Sequence, residues 1–126
     1  AAGITNMYPI MLDLARDPLP AKRYHLTYSL MTLHHIHDIE DILMKFHALL
    51  EHGGYLCIAD LDKEDGSFHT DGTTDVHKGF DRPTLQKQVE AAGFGEIHFS
   101  TAYEIKKKIG ATEKTFPVFL MTARKI

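Results

Sequence analysis

The sequence predicts an α/β fold: a mostly parallel sheet with one antiparallel strand near the C-terminus. Three observations predict it. Strand-like and helix-like segments alternate along most of the chain, and strands joined through helices pair parallel with right-handed crossovers. The run Tyr55-Leu56-Cys57-Ile58-Ala59 follows a glycine and is almost wholly apolar, as a central parallel strand is. The last two strands have only a turn between them, so they pair antiparallel.

Each element has a local reason. Met7 to Leu12 is a short apolar run broken by Pro9, which cannot donate to a ladder, so it reads as an edge strand. Asp17-Pro18-Leu19-Pro20 is a rigid turn. Tyr24 to Leu30 is the second strand, and it runs out into a polar loop carrying His34, His35 and His37. Ligands of open α/β sheets bind beyond the carboxyl ends of strands, so this loop is where a site is expected. Asp38 has N-cap chemistry, and Ile39, Ile42, Leu43, Phe46, Leu49 and Leu50 follow at helical spacing. Gly53-Gly54 is read as the stop of that helix, and Tyr55 to Asp60 as the central strand.

Asp62 to Lys78 is polar and lacks periodicity; loops of this length serve as lids or binding elements, or are simply mobile. Asp81-Arg82-Pro83 opens a second helix with Leu85, Val89 and Ala92 on one face, ended by Gly93. Ile97, Phe99, Thr101, Tyr103 and Ile105 alternate with polar neighbours in a half-exposed strand. Gly110 to Lys114 turns the chain, and Val118 to Ala123 is a final buried strand.

Composition narrows the function classes. A chain of 126 residues is one domain, and a formal charge of -3 gives no reason to expect nucleic acid. The Lys106-Lys107-Lys108 cluster reads as a solvated strand end. Cys57, the sole cysteine, reads as a buried small hydrophobe, and a reducing cytoplasm is the default. No apolar stretch approaches the roughly 18 residues of a membrane span, and no secretory signal stands at the start. The opening Ala1-Ala2-Gly3, without methionine, is expected of an internal piece of a longer protein.

Four short motifs carry a family likeness: Leu12-Asp13-Leu14, the run from Tyr24-His25-Leu26 to Leu33-His34-His35, Leu50-Glu51-His52-Gly53-Gly54, and Ala91-Ala92-Gly93-Phe94. In this order and spacing the chain resembles the class I S-adenosylmethionine-dependent methyltransferases of the methyltransferase 11/12 type, from their third strand to their seventh. His25 and His52 depart from the family, which has aspartate and proline there.

The resemblance implies a partial Rossmann-like methyltransferase sheet, in which the family's strand order is 3-2-1-4-5-7-6. It also implies S-adenosyl-L-methionine as cofactor. Asp13 would accept from the adenine amino group, Leu14 would turn its backbone N–H to a ring nitrogen, and Ser29 and Leu30 would offer backbone to the methionine part. A carboxylate suits the first task because it only accepts. Without the family, Asp13 reads as a turn residue, and Ser29 and Leu30 as ordinary strand-end residues.

His34 and His35 would line the substrate pocket, where a ring titrating near neutrality could serve as a base; alternatively one caps the helix at Asp38 and the other is solvated. Asp62 and His69 would belong to a substrate lid. A metal site is not expected, because adjacent His34 and His35 cannot easily turn to one ion and no Cys or Glu stands at ligand spacing. No catalytic residue is assigned, since a sulfonium is already a good leaving group and positioning supplies most of the effect.

The family's Gly-x-Gly-x-Gly turn and ribose-binding acid have no counterpart here. Gly93-Phe94-Gly95 follows a helix and precedes a strand, the reverse of a nucleotide loop, and reads as a helix stop. The expectation is therefore the C-terminal part, residues 1–126, of a single methyltransferase domain. The whole would be a cytoplasmic enzyme acting on a small molecule, with the fragment inactive alone. The alternative is a methyltransferase-like binding or assembly module without cofactor. Absent strands would leave Tyr24 to Leu30 as an open edge, and a homodimer through that edge, or by exchange of the N-terminal segment, is expected.

Overall fold

The structure, a computed structural model, describes residues 12–14, 16–68 and 77–126. Two expected features, the strand begun at Met7 and the lid residue His69, lie outside the described residues except for Leu12.

The elements run β1 (Tyr24–Leu30), a 3-10 turn (Leu33–His35), α1 (Ile39–Leu49), β2 (Leu50–Leu61), α2 (Arg82–Ala91), β3 (Phe94–Ile109) and β4 (Thr112–Lys125). They form one four-stranded sheet in the order β1-β2-β4-β3. That is the order 4-5-7-6 of the resembled sheet. β1 and β2 pair parallel, whereas β4 pairs antiparallel with both β2 and β3. The sheet is therefore mixed and not mostly parallel: β4 inserts between β2 and β3, so the one reversed strand makes two of the three ladders antiparallel. The tight return at Gly110, where φ is +63°, leaves no room for a crossover helix.

Both helices begin as their sequences dictate. The Asp38 carboxylate accepts from the Asp41 N–H at 3.0 Å, and Asp81 accepts from the Thr84 N–H at 3.2 Å and its hydroxyl at 2.6 Å. Glu40 and Asp41 also favour the positive end of α1. Its other end differs from expectation. Leu50 is already extended, and β2 runs on through Gly53 and Gly54. These glycines form an irregularity where the register against β1 jumps from Tyr24↔Leu50 to Leu26↔Tyr55. Gly53 has φ +79°, and a Cβ on Gly54 would stand 2.9 Å from the Glu51 carbonyl oxygen. Gly93, at φ +102°, does end the second helix, and β3 begins at Phe94, so Gly93-Phe94-Gly95 is the helix stop it was read as.

α1 and α2 pack against the same face of the sheet. Leu56, Ile58, Met121 and Ala123 meet Ile42, Leu43, Leu85 and Val89 in the main core. A smaller cluster of Leu61, Phe116 and Val118, with Phe68 against it, covers one end of the opposite face. Among the described residues, Leu26, Tyr28 and Tyr55 on the remainder of that face are exposed. β2 is thus central in position but unevenly buried on its two sides: Leu56, Ile58 and Asp60 are fully buried on the helix side, whereas on the other side Leu61 is buried and Tyr55 is exposed. Cys57 shares the open face and is half-buried instead of buried.

Candidate functional site

Because β1 and β2 run parallel, their carboxyl ends open in the same direction, as ligand-binding α/β sheets require. Beyond β1 the chain is held at every step. The Met31 N–H donates to the Ala59 carbonyl at 2.8 Å, with Met31 in the left-handed region at φ +54°. The Ser29 and Thr32 hydroxyls bond at 2.8 Å. Leu33 then anchors the 3-10 turn in the core.

The turn is locked to β2 by Asp60, which stands with Leu61 and Asp62 at the ligand-facing end of that strand and receives no site role from sequence. Its carboxylate meets Nδ1 of His34 at 2.7 Å and accepts from the His34 N–H at 3.1 Å and the Leu61 N–H at 2.8 Å. His34 and Asp60 are 2% and 0% exposed. The signal was present: Asp60 is an acid closing the apolar strand Tyr55 to Ala59, and a buried carboxylate needs donors.

In front of this turn lies a cleft of about 860 Å³. Asp13, Leu14, Ser29, Leu30 and His35 line it, with Ile36, Ile42 and Phe46 among its apolar walls. Residues 12–14 are held there from α1, where Lys45 donates through Nζ to the Leu14 carbonyl at 2.5 Å and pairs with Asp41 at 2.9 Å. Asp13 is also a turn residue: its carbonyl accepts from the Arg16 and Asp17 N–H groups at 3.1 and 2.7 Å. The two readings of Asp13 are therefore compatible.

The four residues expected at a cofactor thus converge, and the expected substrate residues separate. His35 lines the cleft, its ring centroid 4.2 Å from that of His34 and tilted 40° to it. His34 does not line it, because its ring turns inward to Asp60. Asp62 holds Arg82 through two bonds of 2.7 and 2.8 Å, and Arg82 reaches the Thr101 hydroxyl at 3.0 Å. This pairing raises the Arg82 pKa and occupies both oxygens of Asp62. His69 lies outside the described residues.

The two ends of the expected lid are tied by an isolated parallel bridge between Asp62 and Phe80 and one further bond. Phe80 donates to Leu61 at 2.9 Å, Lys63 to Phe80 at 3.0 Å and Glu64 to Lys78 at 2.9 Å. The His77 N–H donates to the His34 carbonyl at 2.7 Å, which fastens the base of this loop to the histidine turn. Among the described residues no group of three or more His, Cys, Asp or Glu could hold a metal ion, and no helix is long and apolar enough to cross a membrane.

A carboxylate acceptor, a nearby backbone N–H and an apolar wall suit a flat heteroaromatic base bearing an exocyclic amine. Asp13, Leu14, Ile42 and Phe46 all line this cleft, and the Asp13 carboxylate stands 3.9 Å from Arg16 Nε.

No protein-family model and no curated protein matches the chain. Solved structures do. An S-adenosylmethionine-dependent methyltransferase of Thermotoga maritima, a possible histamine N-methyltransferase, is 17% identical with a TM-score of 0.66. The match covers 90% of this chain and 61% of that one. A candidate methyltransferase of Bacillus halodurans is 16% identical with a TM-score of 0.67, over 90% of this chain and 69% of the other. The phosphoethanolamine N-methyltransferase 2 of Haemonchus contortus, solved with phosphomonomethylethanolamine and S-adenosylhomocysteine, gives 11% and 0.67, over 90% and 36%. The chain thus spans 61% of the Thermotoga protein's length, and its fold is that of the class I S-adenosylmethionine-dependent methyltransferases.

Proposed function

We propose that this chain is part of a cytoplasmic S-adenosylmethionine-dependent methyltransferase acting on a small molecule. The observation that carries the reading is convergence. Asp13 and Leu14 precede β1 and Ser29 and Leu30 end it, yet all four line one cleft at the carboxyl end of a methyltransferase-type sheet. Asp13 and Leu14 would hold the adenine, Phe46 and Ile42 would pack beside it, and Ser29 and Leu30 would meet the methionine part. S-adenosylmethionine, when bound, supplies a methyl group on an electrophilic sulfonium. His35 would face the acceptor. Two of the structural relatives bear the names of enzymes that methylate small amines, which supports a small-molecule acceptor.

On this reading the resembled family's glycine-rich turn and ribose-binding acid have no counterpart in the sequence, so the chain's own affinity should be low and its activity absent. Titration of the chain with S-adenosylhomocysteine, followed by amide resonances, should shift Asp13, Leu14, Ser29 and Leu30 together. The dissociation constant should be no tighter than about 100 μM, about -5.5 kcal/mol. Asp13→Ala removes a charge-assisted bond worth roughly 1.5–3 kcal/mol and should weaken binding about tenfold to a hundredfold. Shifts elsewhere, or none at millimolar ligand, would refute the assignment. They would favour the second reading, an assembly module, which the exposure of Leu26, Tyr28 and Tyr55 supports.

A further inference from the structure

The far half of the β3–β4 hairpin stands at the ligand-facing edge of the sheet. β4 runs antiparallel to β2 and its last ladder pair with it is Leu61↔Val118, so Thr112 to Phe116 run past the carboxyl end of β2. In this stretch Lys107 lies directly opposite Lys114, and Ile105 opposite Phe116. Like charges directly opposite each other weaken a ladder. Breaks of such a local rule mark functional or strained positions. The neighbouring Lys106 and Lys108 are different: they turn to the other side of the hairpin, exposed, with Glu113 across from Lys108, and are the solvated strand end the sequence suggests.

The segment after β2 comes over the opposed pair, and the charges there do not balance. Lys107 donates through Nζ to the Phe68 carbonyl and lies 4.2 Å from the centre of the Phe68 ring. Lys114 pairs with Asp65, donates to the Ser67 hydroxyl at 2.9 Å and lies 5.8 Å from the centre of the Phe116 ring. The two rings meet edge to face at 5.1 Å. Both lysines are half-buried, and among the described residues Lys107 has no carboxylate partner. The other nearby acids are engaged: Glu64 accepts from the Gly66 and Phe68 N–H groups at 2.6 and 3.4 Å, and Asp62 holds Arg82. Two ammonium groups thus share one carboxylate above an aromatic floor. Each ammonium has three donors, and Lys107 spends one on Phe68. We propose that Lys107 and Lys114 bind the acidic group, a carboxylate or a phosphate, of the small molecule that accepts the methyl group; this rests on the methyltransferase reading above. Met31 and Ala59 pack in the same cluster as Phe68, Phe116 and Ile105, and Met31 directly follows Ser29 and Leu30 of the cleft. An acidic group anchored on the lysines would therefore hold the rest of the molecule beside the end of β1, and such remote anchoring orients the reacting atom.

Inorganic phosphate and acetate, titrated separately into the 126-residue chain at constant ionic strength, should shift the amide resonances of Ser67, Phe68, Lys107 and Lys114 together. Saturation is expected with a dissociation constant on the order of 1 mM, and the tighter of the two anions names the acidic group. Lys107→Met keeps the apolar stem and should weaken binding about tenfold, while the urea midpoint holds or rises because the opposed charges are relieved. A purely structural lysine would give the reverse: a lower midpoint and unchanged binding. Asp65→Asn removes the competing carboxylate and should tighten binding several-fold. Circular dichroism selects the folded variants, and the titration of the parent chain decides even where a variant fails. No saturable shift with either anion, or a shift that chloride reproduces, overturns the site. Saturation indifferent to Lys107→Met and to Lys114→Gln also overturns it, by placing the anion elsewhere. Saturation at these residues with Asp13 and Leu14 unmoved by S-adenosylhomocysteine upholds the anion site and overturns its assignment to a methyl acceptor.

Discussion

Replacing Asp60 with alanine tests whether the end of β2 builds the cleft. The carboxylate takes three donors in a fully buried place: the His34 ring at 2.7 Å, the His34 N–H at 3.1 Å and the Leu61 N–H at 2.8 Å. Alanine leaves all three without this acceptor and opens a small void. Breaking a buried, hydrogen-bonded pair from one side costs about 3–5 kcal/mol. A domain of this size has on the order of 5–15 kcal/mol in total. Asp60→Ala should therefore lower the urea midpoint of unfolding sharply with little change in slope, read by far-ultraviolet circular dichroism. Asp60→Asn keeps one carbonyl acceptor and should cost about half as much. The amide and ring resonances of His34 and His35 should move in both variants, since the turn loses its tie to β2. An Asp60→Ala chain within about 0.5 kcal/mol of the parent, with His35 unmoved, would refute the pinning of this turn.

Two further outcomes follow from local geometry. Gly79 and Gly110 both have positive φ, +70° and +63°, but a Cβ on Gly79 would lie 2.1 Å from the Asp62 carbonyl oxygen, whereas Gly110 has nothing within 4 Å. Gly110→Ala should cost only backbone strain, roughly 1–2 kcal/mol, and Gly79→Ala roughly 2–5 kcal/mol because overpacking adds to it; equal unfolding midpoints would contradict the clash. The Thr84 hydroxyl and N–H hold the Asp81 carboxyl below its ordinary value of 3.8. Its capping contribution is therefore complete above that pH and lost as pH falls through the depressed folded value. Asp81→Ala should destabilise α2 at pH 7 and erase this part of the acid dependence in paired urea titrations; an unchanged acid limb would assign it to other groups.

Much of the fold was legible because local signals and global packing agreed. The bounds of Tyr24–Leu30 match the apolar run, Asp38 and Asp81 cap the helices they precede, and the turn at Gly110 returns β3 onto β4. Ladder composition was harder to read, because inserting a single reversed strand changes two pairings at once and leaves the sequence of each strand unchanged. Gly53-Gly54 was misread for a related reason. A paired glycine after an apolar helix fits a stop signal, and only the register jump against β1 reveals that β2 has already begun.

At the cleft, the residues read through family likeness converge, whereas those read from type and loop position do not. Asp13, Leu14, Ser29 and Leu30 are placed by backbone, through the turn at Asp13 and the last residues of β1, so their position follows from the order of elements. His34 and Asp62 were chosen for what their side chains could do, and side chains answer to partners that spacing does not disclose. Asp60 stands 26 residues from His34 and Arg82 stands 20 from Asp62. In both cases burial favours pairing over display to a ligand, since an acid that loses water must recover its hydrogen bonds within the protein. His35, one residue further along the same turn, is left facing the cleft because His34 takes the inward position. Adjacent residues of a 3-10 turn point in different directions, so locking one ring on Asp60 determines where the next can go.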